Sequence, residues 1–455
     1  MADDTATSSP PEQDETMPTP PLSWRDRSLG FLALIPATLS LLLFGAHFMR
    51  RAELGLALAL AILPLLFFSR RAWVPLALSP FLLGAALIWG KTATMIARVR
   101  VSIGLPYGRM VVILGLVAFV ALLAIWLLRR GVLRRRFAKA SATAWASAGA
   151  FWLTALLLAV VKVKVARPLL LADRFFTGAA WIEIVIAATY AAWVVEKLLG
   201  SDHARWRKRI WLVFSLIFFA QPLLGWLVDV RFFMSPNTLH LPIPAIIVAG
   251  PLFRGENFFM LGLFLSSIVI VGPAWCSHIC YMGGWDLVAS GRKKFAGRMP
   301  PWATPVRIVL LLVVVGAAWL LGQLGLSIFG ATIAALTFLF AGLAVIIFLS
   351  PRLGVMAHCL AYCPMGLLAS VLGRLSPFRL SIKESCGGCG ACSLVCRYDA
   401  LRPEHITRKK VGLNCTLCTD CISRCRTHDL HLTLWGRGGA AHSLQSSGVP
   451  SMGPT

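Results

Sequence analysis

Charge is scarce in this chain. Asp, Glu, Lys and Arg make up 14% of its 455 residues, against roughly 25% in soluble domains, and a surface that poor in charge excludes an ordinary soluble globular protein. Acidic groups are scarcer still, 19 against 44 Lys and Arg, which leaves a net charge of +25. In a soluble chain that balance would point to nucleic acid. Here the cations cluster between apolar runs, where positive charge fixes membrane orientation, and nucleic-acid binding is excluded on that ground. Residues 1–24 contain no apolar run and no small-residue cleavage site; Asp3, Asp4, Glu12, Asp14 and Glu15 stand there among Ser, Thr and Pro, the composition of a disordered acidic tail rather than a signal peptide. Histidine is sparse too, nine residues in all, and His47 has no second histidine at a matched depth with which to hold a haem.

What the chain has in excess is apolar length. Hydrophobic residues reach 58% and the mean hydropathy is +0.75, delivered in runs such as 111–128 and 306–326 that are long enough to cross a hydrocarbon core of about 30 Å. The expected fold is an α-helical polytopic membrane protein of about ten spans, near 28–49, 54–69, 72–90, 111–128, 143–161, 175–199, 210–228, 258–275, 306–326 and 329–350. Placing the N-terminus inside puts Arg70, Arg71, the Arg129–Lys139 cluster, Lys197–Arg209 and Arg292–Arg307 on one side, the side richer in Lys and Arg; the positive-inside bias therefore expects both termini in the cytoplasm.

The twelve cysteines fall as Cys276/Cys280, Cys359/Cys363, and two quartets, Cys386/Cys389/Cys392/Cys396 and Cys415/Cys418/Cys421/Cys425. All follow spans running inward, toward a reducing compartment, so ligation or redox chemistry is expected rather than a disulfide framework. Each quartet reads Cys-x2-Cys-x2-Cys-x3-Cys, the bacterial ferredoxin run, in which three thiolates hold one 4Fe-4S cluster and the fourth crosses to the other. That rule assigns Cys386, Cys389, Cys392 and Cys425 to cluster 1, and Cys415, Cys418, Cys421 and Cys396 to cluster 2. Structural zinc joins two Cys-x2-Cys pairs across about 12 to 20 residues, and here the third cysteine comes too soon. Gly387, Gly388 and Gly390 are expected to let the backbone approach the cluster. Arg397 and Arg426 follow the fourth cysteines where proline is usual. Residues 380–435 thus form a separate two-cluster ferredoxin-like α+β module, and 436–455, rich in Gly and Ser, a flexible tail.

The pairs Cys276-x3-Cys280 and Cys359-x3-Cys363 offer, on a helix, two thiols to one face, as ligands or as a redox dithiol; two buried small hydrophobes is the bland alternative. Glu183, inside span six, is an intramembrane acid able to take a quinol proton, with packing against a polar neighbour the better expectation. Asp229, His240 and Arg254 lie in the outer stretch 229–257, expected to be a surface loop that could also cap a quinol pocket.

From Arg205 to Trp435 the order of features resembles the ferredoxin-type membrane proteins of the NapH/NosR/CcoG group. Shared are basic Arg205–Arg209 before a span, an outer stretch, a span ending in Cys-x3-Cys, a two-span hairpin, Cys359-x3-Cys363-Pro364 and two ferredoxin quartets; Tyr281 stands where the group has a proline. The resemblance implies a core at 205–379 preceded by an accessory membrane domain at 25–204. It also implies a place in the bacterial inner membrane and electron transfer, as part of a quinol dehydrogenase or reductase system, between the quinone pool or a membrane partner and a redox protein partner. Metal handling in oxidase assembly, as in CcoG-type proteins, and redox regulation, as in NosR, are the alternatives it carries.

Overall fold

The computed structural model describes residues 24–165, 167–233 and 243–434. Among them, eight helices are long and apolar enough to cross a membrane: Ser28–Met49, Trp73–Ser102, Gly108–Leu128, Ser141–Lys164, His203–Leu227, Phe259–His278, Ala303–Gln323 and Ile328–Leu353. The reason for helix is the solvent: in hydrocarbon only a helix or a closed barrel pairs every backbone N–H and C=O internally. Outward side chains such as Val112, Leu116, Leu312 and Phe340 are exposed and apolar, as a lipid-facing surface requires. This is the architecture of a multi-pass membrane protein.

Two of the ten expected spans differ. Leu54–Ser69 is a nine-residue α-helix, Leu54–Ile62, continued by a 3-10 segment, Leu63–Ser69, with Pro64 in its first turn. The tighter winding stretches it to about 27 Å. Ala180–Leu198 starts later than expected and is not one of the eight long apolar helices, since Glu183 and Lys197 stand in its first and last turns with Glu196 beside the latter; its 19 residues still carry the chain from the end at Arg174 to the end at His203. Glu183 therefore sits in the first turn of a helix, where its Oε2 accepts the Ala172 N–H at 2.7 Å. The packing role holds, and the deep intramembrane acid does not.

The chain divides into two compact units at 148/149. In the first, Trp73–Ser102 and Gly108–Leu128 form a helical hairpin, and Leu41, Leu63, Leu78, Leu82 and Ala124 are fully or almost fully buried. The Arg136 guanidinium lies 4.5 Å from the Phe31 ring, and the Ala72 N–H donates to the Lys139 carbonyl at 2.9 Å. Arg70, Arg71 and the Arg129–Lys139 cluster thus gather at the end where the first helix begins, so the segment Leu54–Ser69 returns the chain to that end. His47 packs edge-on against Phe48 and Trp89, as an aromatic core residue.

In the second unit, His203–Leu227 lies tight against Tyr281–Ser290 because Gly283 and Gly284 have no side chain. A Cβ on Gly283 would come 2.4 Å from the Trp211 ring, and one on Gly284 2.2 Å from Ser215 Oγ. The stretch 229–257 is not a plain surface loop. Asp229 accepts the Arg231 N–H at a surface turn, but Ile243 and Ala245 pack in a core with Cys280, Tyr281, Met282 and Ile346. From there the nine-residue helix Ile246–Arg254, with Val248 and Pro251 buried, leads toward Phe259–His278. His240 lies outside the described residues. Beyond the last span, β1 (Phe378–Ile382) pairs antiparallel with β2 (Leu430–Leu434), in register from Phe378↔Leu434 to Ile382↔Leu430. Both cysteine quartets lie between the two strands, around a core of Ile382, Leu401, Ile406 and Leu430.

Candidate functional site

The two quartets fold alike. Cys392 and Cys421 each open a 3-10 turn with φ near −70° and ψ −33°, and Cys396 and Cys425 close those turns. Left-handed backbone recurs two and four residues after the first cysteine of each quartet: Gly388 (φ 72°) and Gly390 (φ 74°) in the first, Leu417 (φ 54°) and Thr419 (φ 63°) in the second. For a β-branched residue this conformation is a real outlier, so the wrapping of the loop, not local preference, dictates it. A Cβ on Gly387, Gly388 or Gly390 would meet no protein atom within 4 Å. The glycines at 388 and 390 serve the backbone turn rather than relief of crowding by the chain itself.

The structure brings thiols of the two quartets together. Burial raises Cys392, with Cys386 and Cys389 beside it adding to the effect. Burial pushes Cys396 and Cys415 up to about 12, each held up further by Cys418. Cys421 is raised well above the usual thiol range by burial and then by Cys418, Cys415, Cys396 and Cys392. Cys425 is tied to the start of the first quartet instead. Its Sγ lies 3.6 Å from Thr427 Oγ1; Thr427 and Ser385 both donate to Asp429, the latter at 2.8 Å; and the Lys383 N–H, one turn from Cys386, donates to the Asp429 carbonyl. Arg397 replaces the usual proline with a clamp, its guanidinium donating to the carbonyls of Gly354 at 2.7 Å and Lys293 at 2.6 Å. Arg426 is exposed.

The Cys-x3-Cys pairs do not lie on continuous helices. Cys276 belongs to the short helix Trp275–His278 and Cys359 to the π-turn His358–Tyr362, and the chain breaks before the second thiol of each. Cys280 and Cys363 then occupy matching cap positions, at φ −65° and −75° with ψ 114° in both, opening the helices Tyr281–Ser290 and Pro364–Leu372. Each thiol receives N–H groups from the residues two and three further on, Met282 and Gly283 in one case, Met365 and Gly366 in the other. Tyr281 in the proline position leaves this geometry unchanged and stacks on Phe218 at 4.0 Å. All four thiols line one cavity, together with Arg307, His358, Tyr398, Asn414 and Thr416.

Several residues of this region carry no spacing signal. Arg207, 2% exposed, forks onto Asp420 at 3.0 and 2.9 Å and reaches the Ser277 carbonyl at 2.7 Å; Ser277 in turn donates to the Thr416 carbonyl at 2.8 Å. Trp211 Nε1 donates to the Cys280 carbonyl at 2.7 Å. Asp286, fully buried, accepts from Ser350 and from the Cys359 N–H, and burial pushes its pKa up to about 6. Burial pushes His358 down to about 4, and its Nδ1 has no hydrogen-bond partner among the described residues. Among the described residues, Asp286, His358 and Cys359 are the one set of three candidate ligands whose donor atoms lie within 4.8 Å of one another. A zinc ion with bonds of about 2.3 Å would hold its thiolates about 3.8 Å apart, so no group of cysteines is closed onto a single ion. A second, apolar cavity adjoins the first, lined by Ile243, Ala245, Met282, Phe338, His358, Tyr362 and Cys363.

Fold and site together define a multi-pass helical membrane protein whose twelve free thiols gather at and beyond one end of its helices. No family model matches the chain, and no solved structure does. Over 169 residues, 34% of the chain, it is 36% identical to an uncharacterized protein of Methanocaldococcus jannaschii, and it spans 63% of that relative's length.

Proposed function

We propose that this protein is a membrane-bound iron-sulfur electron carrier. It exchanges electrons between the quinone pool, or a membrane partner, and a redox protein through two 4Fe-4S clusters in the module from β1 to β2. The observation that carries the reading is the approach of Cys396, the last cysteine of the first quartet, to Cys415, Cys418 and Cys421 of the second, with Cys425 linked through Thr427 and Asp429 to the segment that opens the first. This is the ligand exchange of a two-cluster ferredoxin. The residues fit the group in two further ways. Buried thiols with raised pKa values ionise together only around a cation, and the four thiols are spaced too widely for one zinc ion.

When bound, such clusters supply one-electron transfer; the chain supplies position and electrostatics. Left-handed backbone at 388, 390, 417 and 419 wraps each loop about its centre. Arg207 and Arg397 anchor the module to the membrane helices, the first through a buried ion pair with Asp420 and the second through half-buried charge-assisted bonds to backbone carbonyls. The second cavity, with Tyr362 and His358 in its wall, shares Cys363 with the four-thiol cavity. The test is anaerobic purification with site-resolved EPR. Cys425→Ser should abolish the signal of the cluster held by Cys386, Cys389 and Cys392 and spare the other; loss of the opposite signal, or stoichiometric zinc without iron, contradicts the assignment.

A further inference from the structure

Cys276 and Cys280 stand 79 positions or more from Cys359 and Cys363, and neither pair belongs to a quartet, yet the fold delivers all four thiols into one cavity. We propose that Cys276, Cys280, Cys359 and Cys363 hold a third iron-sulfur cluster, of the 4Fe-4S class, between the membrane helices and the module. The inference stands on thiols that the two-cluster reading does not use.

Three observations carry it. The first is the symmetry of the ligands: both pairs present one thiol from a turn and one from a helix cap, with matching backbone angles at Cys280 and Cys363. Two helices of ten and nine residues thus direct their N-terminal N–H groups at the same thiols, an arrangement that favours negative charge. The second is Arg307, 1% exposed. Its Nη1 donates to the Cys359 carbonyl at 3.1 Å and its Nη2 to Asn414 Oδ1 at 2.9 Å, while Nε has no hydrogen-bond partner among the described residues. The guanidinium faces Cys363, Cys359 and Cys276 and forms no ion pair with a carboxylate of the described residues. A buried cation without a counter-charge is costly; four thiolates around an iron-sulfur core, net negative, supply that charge.

The third observation is size. No three of these thiols approach within 4.8 Å of one another among the described residues, whereas a single zinc or copper ion needs them closer. Asp286 and His358 do approach Cys359, but the Asp286 carboxylate is engaged by Ser350 and the Cys359 N–H. It acts as a positioning residue for the turn. Placement adds a reason for such a site. Tyr398, Asn414 and Thr416 line the same cavity, and each lies within two residues of Cys396 or Cys415. A cluster here would stand between the apolar cavity and the nearer ferredoxin-type site.

The experiment is an iron and acid-labile sulfide count on the full-length protein, purified anaerobically in lipid nanodiscs, with EPR spin quantitation. The expected result is about twelve of each per chain. Cys276→Ser combined with Cys363→Ser should lower both to about eight with the signals of the module intact, and Arg307→Gln should lower the midpoint potential of the third signal alone. About eight in the native protein overturns this inference and leaves the two-cluster reading standing. About eight iron plus one zinc or copper that the double variant loses also overturns it, in favour of a single-ion site. Four or none sinks the two-cluster reading itself. Should the double variant fail to accumulate, the native count and spin quantitation decide.

Discussion

At the scale of single residues, the most informative positions are those whose backbone the loop overrules. Gly388 and Gly390 take left-handed φ at no steric cost, while Leu417 and Thr419 take it at the same places in the second quartet and carry roughly 1–2 kcal/mol of strain each. Thr419→Gly should therefore relieve about 1 kcal/mol, seen as a roughly fivefold slower loss of visible cluster absorbance on warming. Unchanged or faster loss would mean that the conformation is not strained in the loaded protein. Spacing alone picks out these cysteines as two like quartets, because the pattern is periodic and local. It did not single out Arg307 or pair Arg207 with a partner: each is one cation in a basic flank, and the groups they meet, Asn414 and Asp420, lie 107 and 213 positions away.

At the scale of elements, hydropathy located the long helices well and the short ones poorly. A window that counts apolar residues cannot tell a short packed helix from a surface loop with an apolar run, which is why Ile246–Arg254 reads as loop. Nor can it see that the 3-10 winding after Pro64 lengthens Leu54–Ser69 enough to bring the chain back. The helical reading of the Cys-x3-Cys pairs failed for a related reason. The i, i+4 spacing of a helix and the spacing across a cap turn are the same in sequence, and the cap wins because it turns N–H groups onto Cys280 and Cys363. Since position N1 of a helix needs no N–H donor, Tyr281→Pro should leave the metal content of the purified protein unchanged. It should also lower thermal stability through loss of the ring stacked on Phe218, by about 2–3 kcal/mol. Loss of metal from this variant would show that the two caps are not equivalent.

At the scale of the whole molecule, the ends of the helices sort the charges. Within the first unit the start of the chain's first helix, Arg70, Arg71 and the Arg129–Lys139 cluster share an end. Within the second, His203 reaches Thr419 and so shares an end with the quartets, while Arg174 binds the carbonyls of Arg231 and Phe233 at the other. The positive-inside bias then expects reporter fusions near 140, 300 and 440 to read cytoplasmic and those near 168 and 240 periplasmic; a periplasmic fusion at 440 would reverse the orientation and remove the reducing environment for the thiols. The account as a whole makes the protein a conduit, and a conduit is tested by flow. The direct measurement is anaerobic, EPR-monitored electron exchange between the nanodisc-embedded protein and a quinol/quinone couple. Native protein should exchange electrons with the couple, and protein carrying Cys276→Ser and Cys363→Ser should not, although dithionite still reduces its module. Module signals that ignore the couple in native protein, or that respond equally in the variant, would contradict the path from membrane to module.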